Sequence, residues 1–149
     1  MRRLAGTAII GVLSGVLLCG CWLVPAARTD VCVDWVRFET TQQRFDHAGA
    51  VLVGKPLQRD GDVRIYGYQA NVHVVEVEKV LKGSPGYGTV RIASMPVTCG
   101  EAYPDGDPLD AGDRLLLFLS EQNGQWFTMT PEQGVVPYPA GTPLPFKTG

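Results

Sequence analysis

Residues 65–81, IYGYQANVHVVEVEKVL, decide the fold. The even positions carry Tyr66, Tyr68, Ala70, Val72 and Val74, after which the apolar residues move to the odd positions Val75 and Val77. Apolar residues on alternate positions mark a strand with one buried face. Such a pattern changes face only through an extra residue, so a bulge is expected near Val74 and Val75. The bulge would bend the strand and let it serve two sides of a barrel. Outward from it, residues 50–57 form an apolar run containing Gly54, and Val90 and Ile92 alternate with Thr89 and Arg91. Residues 114–120 are apolar on both faces through Leu115, Leu116, Leu117, Phe118 and Leu119, a strand that must be covered on both sides. Residues 126–130 follow Asn123-Gly124, a pair that favours a tight hairpin. Further turns are expected at Asp60-Gly61-Asp62 and at Gly83-Ser84-Pro85-Gly86, and a short helix over Thr41–His47. Five strands, one long and bent, describe a mainly β protein, a small five-stranded Greek-key barrel of the OB type with one short helix. The alternative is an open β-sandwich. Pro137, Pro139, Pro143 and Pro145 make the chain end an extended tail laid over the surface.

The beginning of the chain carries an address. Arg2 and Arg3 precede an apolar run from Leu4 to Leu18 that closes on Leu18-Cys19-Gly20-Cys21. Its fifteen residues fall short of the ~20 that span a bilayer, which separates it from a transmembrane anchor. A lipoprotein signal peptidase needs a branched apolar residue three positions before the acceptor, a small residue just before it and a thiol to receive lipid. Leu18, Gly20 and Cys21 meet all three needs, whereas Cys19 follows Leu17 and Leu18. The segment resembles the bacterial lipobox, which implies lipidation at Cys21 and attachment to the cell membrane from outside the cytoplasm. Residues 1–20 then read as signal, residues 21–31 as a lipidated tether and residues 32–149 as one domain.

Loss of residues 1–20 removes Arg2 and Arg3 but no acid, moving the formal charge from -2 to -4. A negative domain disfavours nucleic acid and anionic membrane surfaces as partners. With Cys19 removed and Cys21 lipidated, Cys32 and Cys99 remain, and an oxidising compartment favours a disulfide between them. The alternative, a redox or metal thiol pair, lacks a C-x-x-C spacing.

Site-like features are few. Catalytic motifs such as Gly-x-Ser-x-Gly and His-Glu-x-x-His are absent from the sequence. Residues 105–113 hold Asp105, Asp107, Asp110 and Asp113 with two glycines, a composition able to wrap calcium. It departs from an EF-hand at Leu109 and Leu116, and a plain turn is the competing account. No other cofactor is implied. His73 with Glu76 or Glu78 is the one group from which a small hydrolase could be built, and a solvated strand face explains the same three residues. Tyr66, Tyr68 and Trp126 offer a surface for a protein or glycan partner, with core packing as the alternative. Tyr87, Tyr103 and Tyr138 add to that aromatic set.

The order Arg44-Phe45-Asp46-His47-Ala48-Gly49 leading into residues 50–54, then Val80-Leu81-Lys82-Gly83, Val90-Arg91-Ile92, Cys99-Gly100 and residues 112–118 is similar to the netrin-like modules. It looks most like bacterial relatives of the tissue inhibitors of metalloproteinases. The resemblance spans about residues 32–119. It implies an OB barrel with a disulfide tying the domain's start to its body, a bridge matched by Cys32 and Cys99. The inhibitory chemistry does not carry over. It needs a free cysteine amine at the mature terminus, and Cys32 lies eleven residues past Cys21. The expectation is a lipid-anchored, non-enzymatic binding or envelope module. Its rivals are a small hydrolase and a purely structural surface lipoprotein.

Overall fold

The computed structural model describes residues 31–148. The expected signal segment, Cys21 and the expected tether up to residue 30 lie outside the described residues. Within them run α1 (Thr41–His47), β1 (Ala50–Ile65), β2 (Tyr68–Lys82), β3 (Thr89–Ala93), β4 (Leu115–Gln122), β5 (Gln125–Thr128) and β6 (Val135–Pro137). The first five strands close into a ring. The sheet runs β1-β2-β3-β5-β4, and β4 pairs back onto β1. All contacts in the ring are antiparallel except β3 with β5, where Ile92 lies beside Trp126 and Ala93 beside Phe127. Closure through the ladder from Ala50 opposite Leu119 to Gly54 opposite Leu115 separates this barrel from an open sandwich. No helix among the described residues is long and apolar enough to cross a membrane.

Strand alternation sorts the apolar residues into three cores. Ala50, Leu52, Val75, Ile92, Leu115 and Leu117 fill the barrel. Val51, Val53, Leu116 and Phe118 point outward, where Phe45 of α1 and Tyr138 and Phe146 of the tail cover them. This is the two-sided cover that the apolar run of β4 demanded. Phe45 stacks on Phe146 with ring centroids 4.4 Å apart. The helix that delivers Phe45 starts with a capping box, in which the Gln43 amide donates to Thr40 Oγ1 while the Thr40 amide donates to Gln43 Oε1. Ala70, Val72, Ala93, Met95 and Phe127 form the third core, against which Trp35 and Tyr66 pack.

Four local expectations need correction. Strand β1 is longer than the apolar run of residues 50–57, because Asp60 and Gly61 lie within the strand as a register irregularity between Arg59 and Asp62. The chain reverses instead at Tyr66-Gly67, with φ of 54° and 91°. Positive φ at both central residues gives the two-residue turn that matches strand twist. The same geometry at Asn123-Gly124, φ 52° and 77°, realises the expected hairpin. The irregularity opposite Val74 and Val75 inserts Leu57 of β1, leaving the β2 ladder with β3 regular from Val72 to Glu76. Strand β2 serves two sides because both its faces are buried, Val72 toward one core and Val75 toward another. Finally, part of the proline-rich end is a sixth strand, pairing Val135 with Leu117 and Val136 with Leu116 before Pro137. Within β1, Gly54 is required by space, since a Cβ there would stand 2.6 Å from the carbonyl oxygen of Glu76.

Candidate functional site

The chain between β3 and β4 is pinned to the barrel at several points. The Met95 amide donates to Thr128 Oγ1 at 2.8 Å. Leu109, the one large apolar residue of the acidic stretch, is buried in the barrel core. Asp107 shapes the turn around it: Oδ1 accepts from the Leu109 amide at 3.0 Å and from Ser94 Oγ at 2.5 Å, and Oδ2 accepts from Asn71 Nδ2 at 2.8 Å. An aspartate that accepts the amide two residues on closes a local turn and satisfies its own charge with neutral donors.

Asp110 makes the second set of contacts. Its Oδ1 accepts from His73 Nε2 at 2.8 Å, and its Oδ2 accepts from Arg59 Nη2 at 2.6 Å. The His73 hydrogen bond, aided by Arg59, holds the Asp110 carboxyl below its ordinary value against a smaller opposing effect of burial. The His73 side chain is 2% exposed, and its Nδ1 is buried without a partner. The imidazole therefore secures the loop by one nitrogen and offers none to solvent. Glu76 and Glu78 are exposed, and Glu78 pairs with Arg114 at 2.6 Å. The grouping of His73 with Glu76 or Glu78 is thus replaced by His73 with Asp110, because neighbours on a strand alternate between faces.

Of the four loop carboxylates, Asp107 and Asp110 converge. Together with His73 they bring three ligand atoms within 4.8 Å of one another. Asp105 and Asp113 are exposed and lie outside this group. The oxygens of Asp107 and Asp110 are held by protein donors, so a cation would have to displace Ser94, Asn71 or Arg59. The Leu109 contact of Asp107 is a local turn, and its contacts to Asn71 and Ser94 tie that turn to β2 and the end of β3.

A depressed carboxyl stabilises the fold fully above its unfolded value of about 3.9 and loses that contribution as pH falls through the lower folded value. Asp110→Asn is therefore expected to be less stable than the parent at neutral pH, with the gap closing at acidic pH below about 4. Urea unfolding of both proteins from pH 7 to pH 2.5 checks this, and a constant gap across that range would contradict it.

The disulfide between Cys32 and Cys99 is present, with Cα atoms 4.9 Å apart. Beside it the Val33 amide donates to Thr98 Oγ1 at 3.1 Å, and the Val31 amide donates to the Tyr66 carbonyl at 3.1 Å. These bonds lay the entering segment along the loop that follows β3. Between the two runs a groove of about 800 Å³, with Pro131 and Glu132 also on its wall. Trp35 lines it from the entering segment and Tyr103 from the loop. The Tyr103 hydroxyl donates to the Met95 carbonyl. Burial, with the charge of Asp107 nearby, pushes its phenol up, so it serves as a neutral donor that braces the loop.

The expected aromatic surface is arranged differently. Tyr66 is half-buried, meets Trp35 edge-on at 6.0 Å and shares hydrogen bonds with Gln122. The Tyr68 hydroxyl accepts from the Cys99 amide at 2.9 Å. Trp126 is half-buried against the barrel core, Tyr138 is buried, and Tyr87 alone among these is widely exposed, at 89%. Tyr66 and Tyr68 thus support the groove from behind, and Trp35 and Tyr103 face it. Trp35, two residues beyond Val33 and three past Cys32, carried a signal in its place next to the bridging cysteine. The His73 and Asp110 contact joins positions 37 residues apart and left no local signal.

The sequence matches no protein-family model, and a comparison with curated proteins finds no significant match.

Proposed function

We propose that this chain is a lipid-anchored, extracytoplasmic binding module of the netrin-like type, held on the bacterial membrane through Cys21 and acting without catalysis. The observation that carries the reading is the groove between the disulfide-tied entering segment and the loop after β3. Concave sites with apolar walls and a few polar groups are where proteins take ligands. The closed strand ring and the bridge from the domain's start to the segment after β3 fit the netrin-like resemblance. The polar groups of the loop support binding over turnover: His73 is sealed behind Asp110, and Asp107 and Tyr103 are committed to internal hydrogen bonds. Catalysis needs a nucleophile or base within reach of a substrate.

The lipobox supports the anchor. Metabolic labelling with a fatty-acid analogue tests it. Label is expected on the parent protein and on Cys19→Ala, and is expected to disappear from Cys21→Ala. Undiminished labelling of Cys21→Ala would overturn the anchor.

A further inference from the structure

The groove has a one-sided charge. Five carboxylates line it, from Glu101, Asp105, Asp107, Asp110 and Glu132, and no basic side chain among the described residues does. Two of the five are neutralised, Asp110 by Arg59 and Glu132 by Arg37 at 2.7 Å. Asp107 is held by neutral donors, and Glu101 and Asp105 are exposed. Three negative charges therefore stand along a wall whose other face is apolar, built from Val33, Trp35, Val97, Pro104 and Pro131. Low-dielectric walls focus such a field and favour a cation over water.

The shape extends the argument. The groove adjoins a hollow of about 240 Å³ that shares Val33, Trp35, Pro131 and Glu132 with it. A second adjoining hollow of about 240 Å³ shares Val97, Tyr103 and Asp107. A groove that adjoins two further hollows through different parts of its wall suits an extended chain better than a compact molecule. Trp35, common to the groove and the first hollow, carries an apolar face across both. Lysine and arginine carry a cationic head on an apolar stem, which fits carboxylates facing an aromatic wall.

We infer that the groove takes an extended polypeptide segment in which lysine or arginine alternates with apolar residues. The basic heads meet the exposed Glu101 and Asp105, with the charge of Asp107 behind them, and the apolar stems lie along Trp35 and Val33. The inference rests on the binding-module reading and names its ligand class. The probe is a fluorescent octapeptide alternating valine and lysine, titrated into the full-length protein in micelles of neutral detergent, with empty micelles as the blank. A counterpart alternating valine and glutamate is titrated in parallel. Saturable binding of the lysine peptide alone is expected. It should weaken about tenfold in the double variant Glu101→Lys, Asp105→Lys, since attraction at two exposed positions becomes repulsion. It should also weaken in 1 M salt, where the screening length falls to about 3 Å. Both substitutions are at exposed positions and leave the cores intact. Equal binding of the glutamate peptide, unchanged affinity in the double variant, or no saturable binding of the lysine peptide would each overturn the inference. Fatty-acid labelling reads the anchor independently, so loss of peptide binding with labelling intact removes the basic ligand and leaves the anchored module.

Discussion

Reduction of the Cys32–Cys99 disulfide is expected to lower the unfolding free energy by about 2–5 kcal/mol, the usual cost in a small exported domain. The bridge closes a span of 67 residues, and on the chain-entropy model a loop of that size gives roughly 4 kcal/mol. That is a large share of the ~5–15 kcal/mol that holds a domain of this kind together. The location of the cost matters as much as its size. The entering segment before α1 contributes few apolar side chains to the barrel itself; the ties of its first residues run through Thr98, Tyr66 and the bridge, and Glu132 and Gln133 hold Arg37 and Phe38 further on. Reduction should therefore loosen residues 32–36 and open one wall of the groove while the strand ring persists. Urea unfolding of oxidised and reduced protein measures the cost, and thiol titration of the protein isolated from its native cells checks that the bridge forms. Equal stabilities, or Cys32 and Cys99 titrating as free thiols in that protein once denatured, would contradict the account.

The second large effect belongs to Leu109. Leu109→Ala is expected to cost about 2–5 kcal/mol, the range for truncating a buried leucine that leaves a cavity. The residue is 1% exposed among Ile92, Leu115 and Leu117, yet it sits between Asp107 and Asp110 in a loop that is otherwise polar. Its side chain is the plug that fixes the loop on the barrel, so truncation should loosen the groove together with the core. Leu109→Met, close in volume, should cost less than about 1.5 kcal/mol. Denaturant unfolding of the two variants separates the cases, and a cost below about 1 kcal/mol for Leu109→Ala would show that the site lies outside the core.

The barrel was legible where local chemistry and tertiary structure agree. Asn123-Gly124 marks its hairpin because two consecutive positive φ values are needed there and these residues tolerate them. The four leucines and one phenylalanine of β4 announced cover on both faces, and Phe45, Tyr138 and Phe146 supply the outer one. The Tyr66-Gly67 turn was hidden because Tyr66 continues an apolar alternation and is an uncommon residue at positive φ. Asp60-Gly61-Asp62 has turn composition, but its flanks remain paired with β2, so the irregularity is absorbed in the strand. The alternation in β2 was read as a bulge because a single buried face was assumed. Burial of both Val72 and Val75 on opposite faces gives the same pattern with a regular ladder.

For the site, composition located the acidic loop but not its partners. Asp107 and Asp110 differ from Asp105 and Asp113 only through contacts to Asn71, His73, Ser94 and Arg59, which lie on other elements. Leu109 was the usable clue, since an isolated leucine among carboxylates must be buried or exposed at a cost. The aromatic set was read from composition alone, and composition does not distinguish Tyr66 and Tyr68, which brace the groove, from Trp35, which lines it.

Amide hydrogen exchange on the full-length protein, with and without the valine-lysine peptide, tests the binding groove most directly. Slowed exchange is predicted in residues 33–35 and 97–111, with the strand ring unchanged. Slowing confined to other surfaces, with residues 33–35 and 97–111 exchanging as in the free protein, would contradict it.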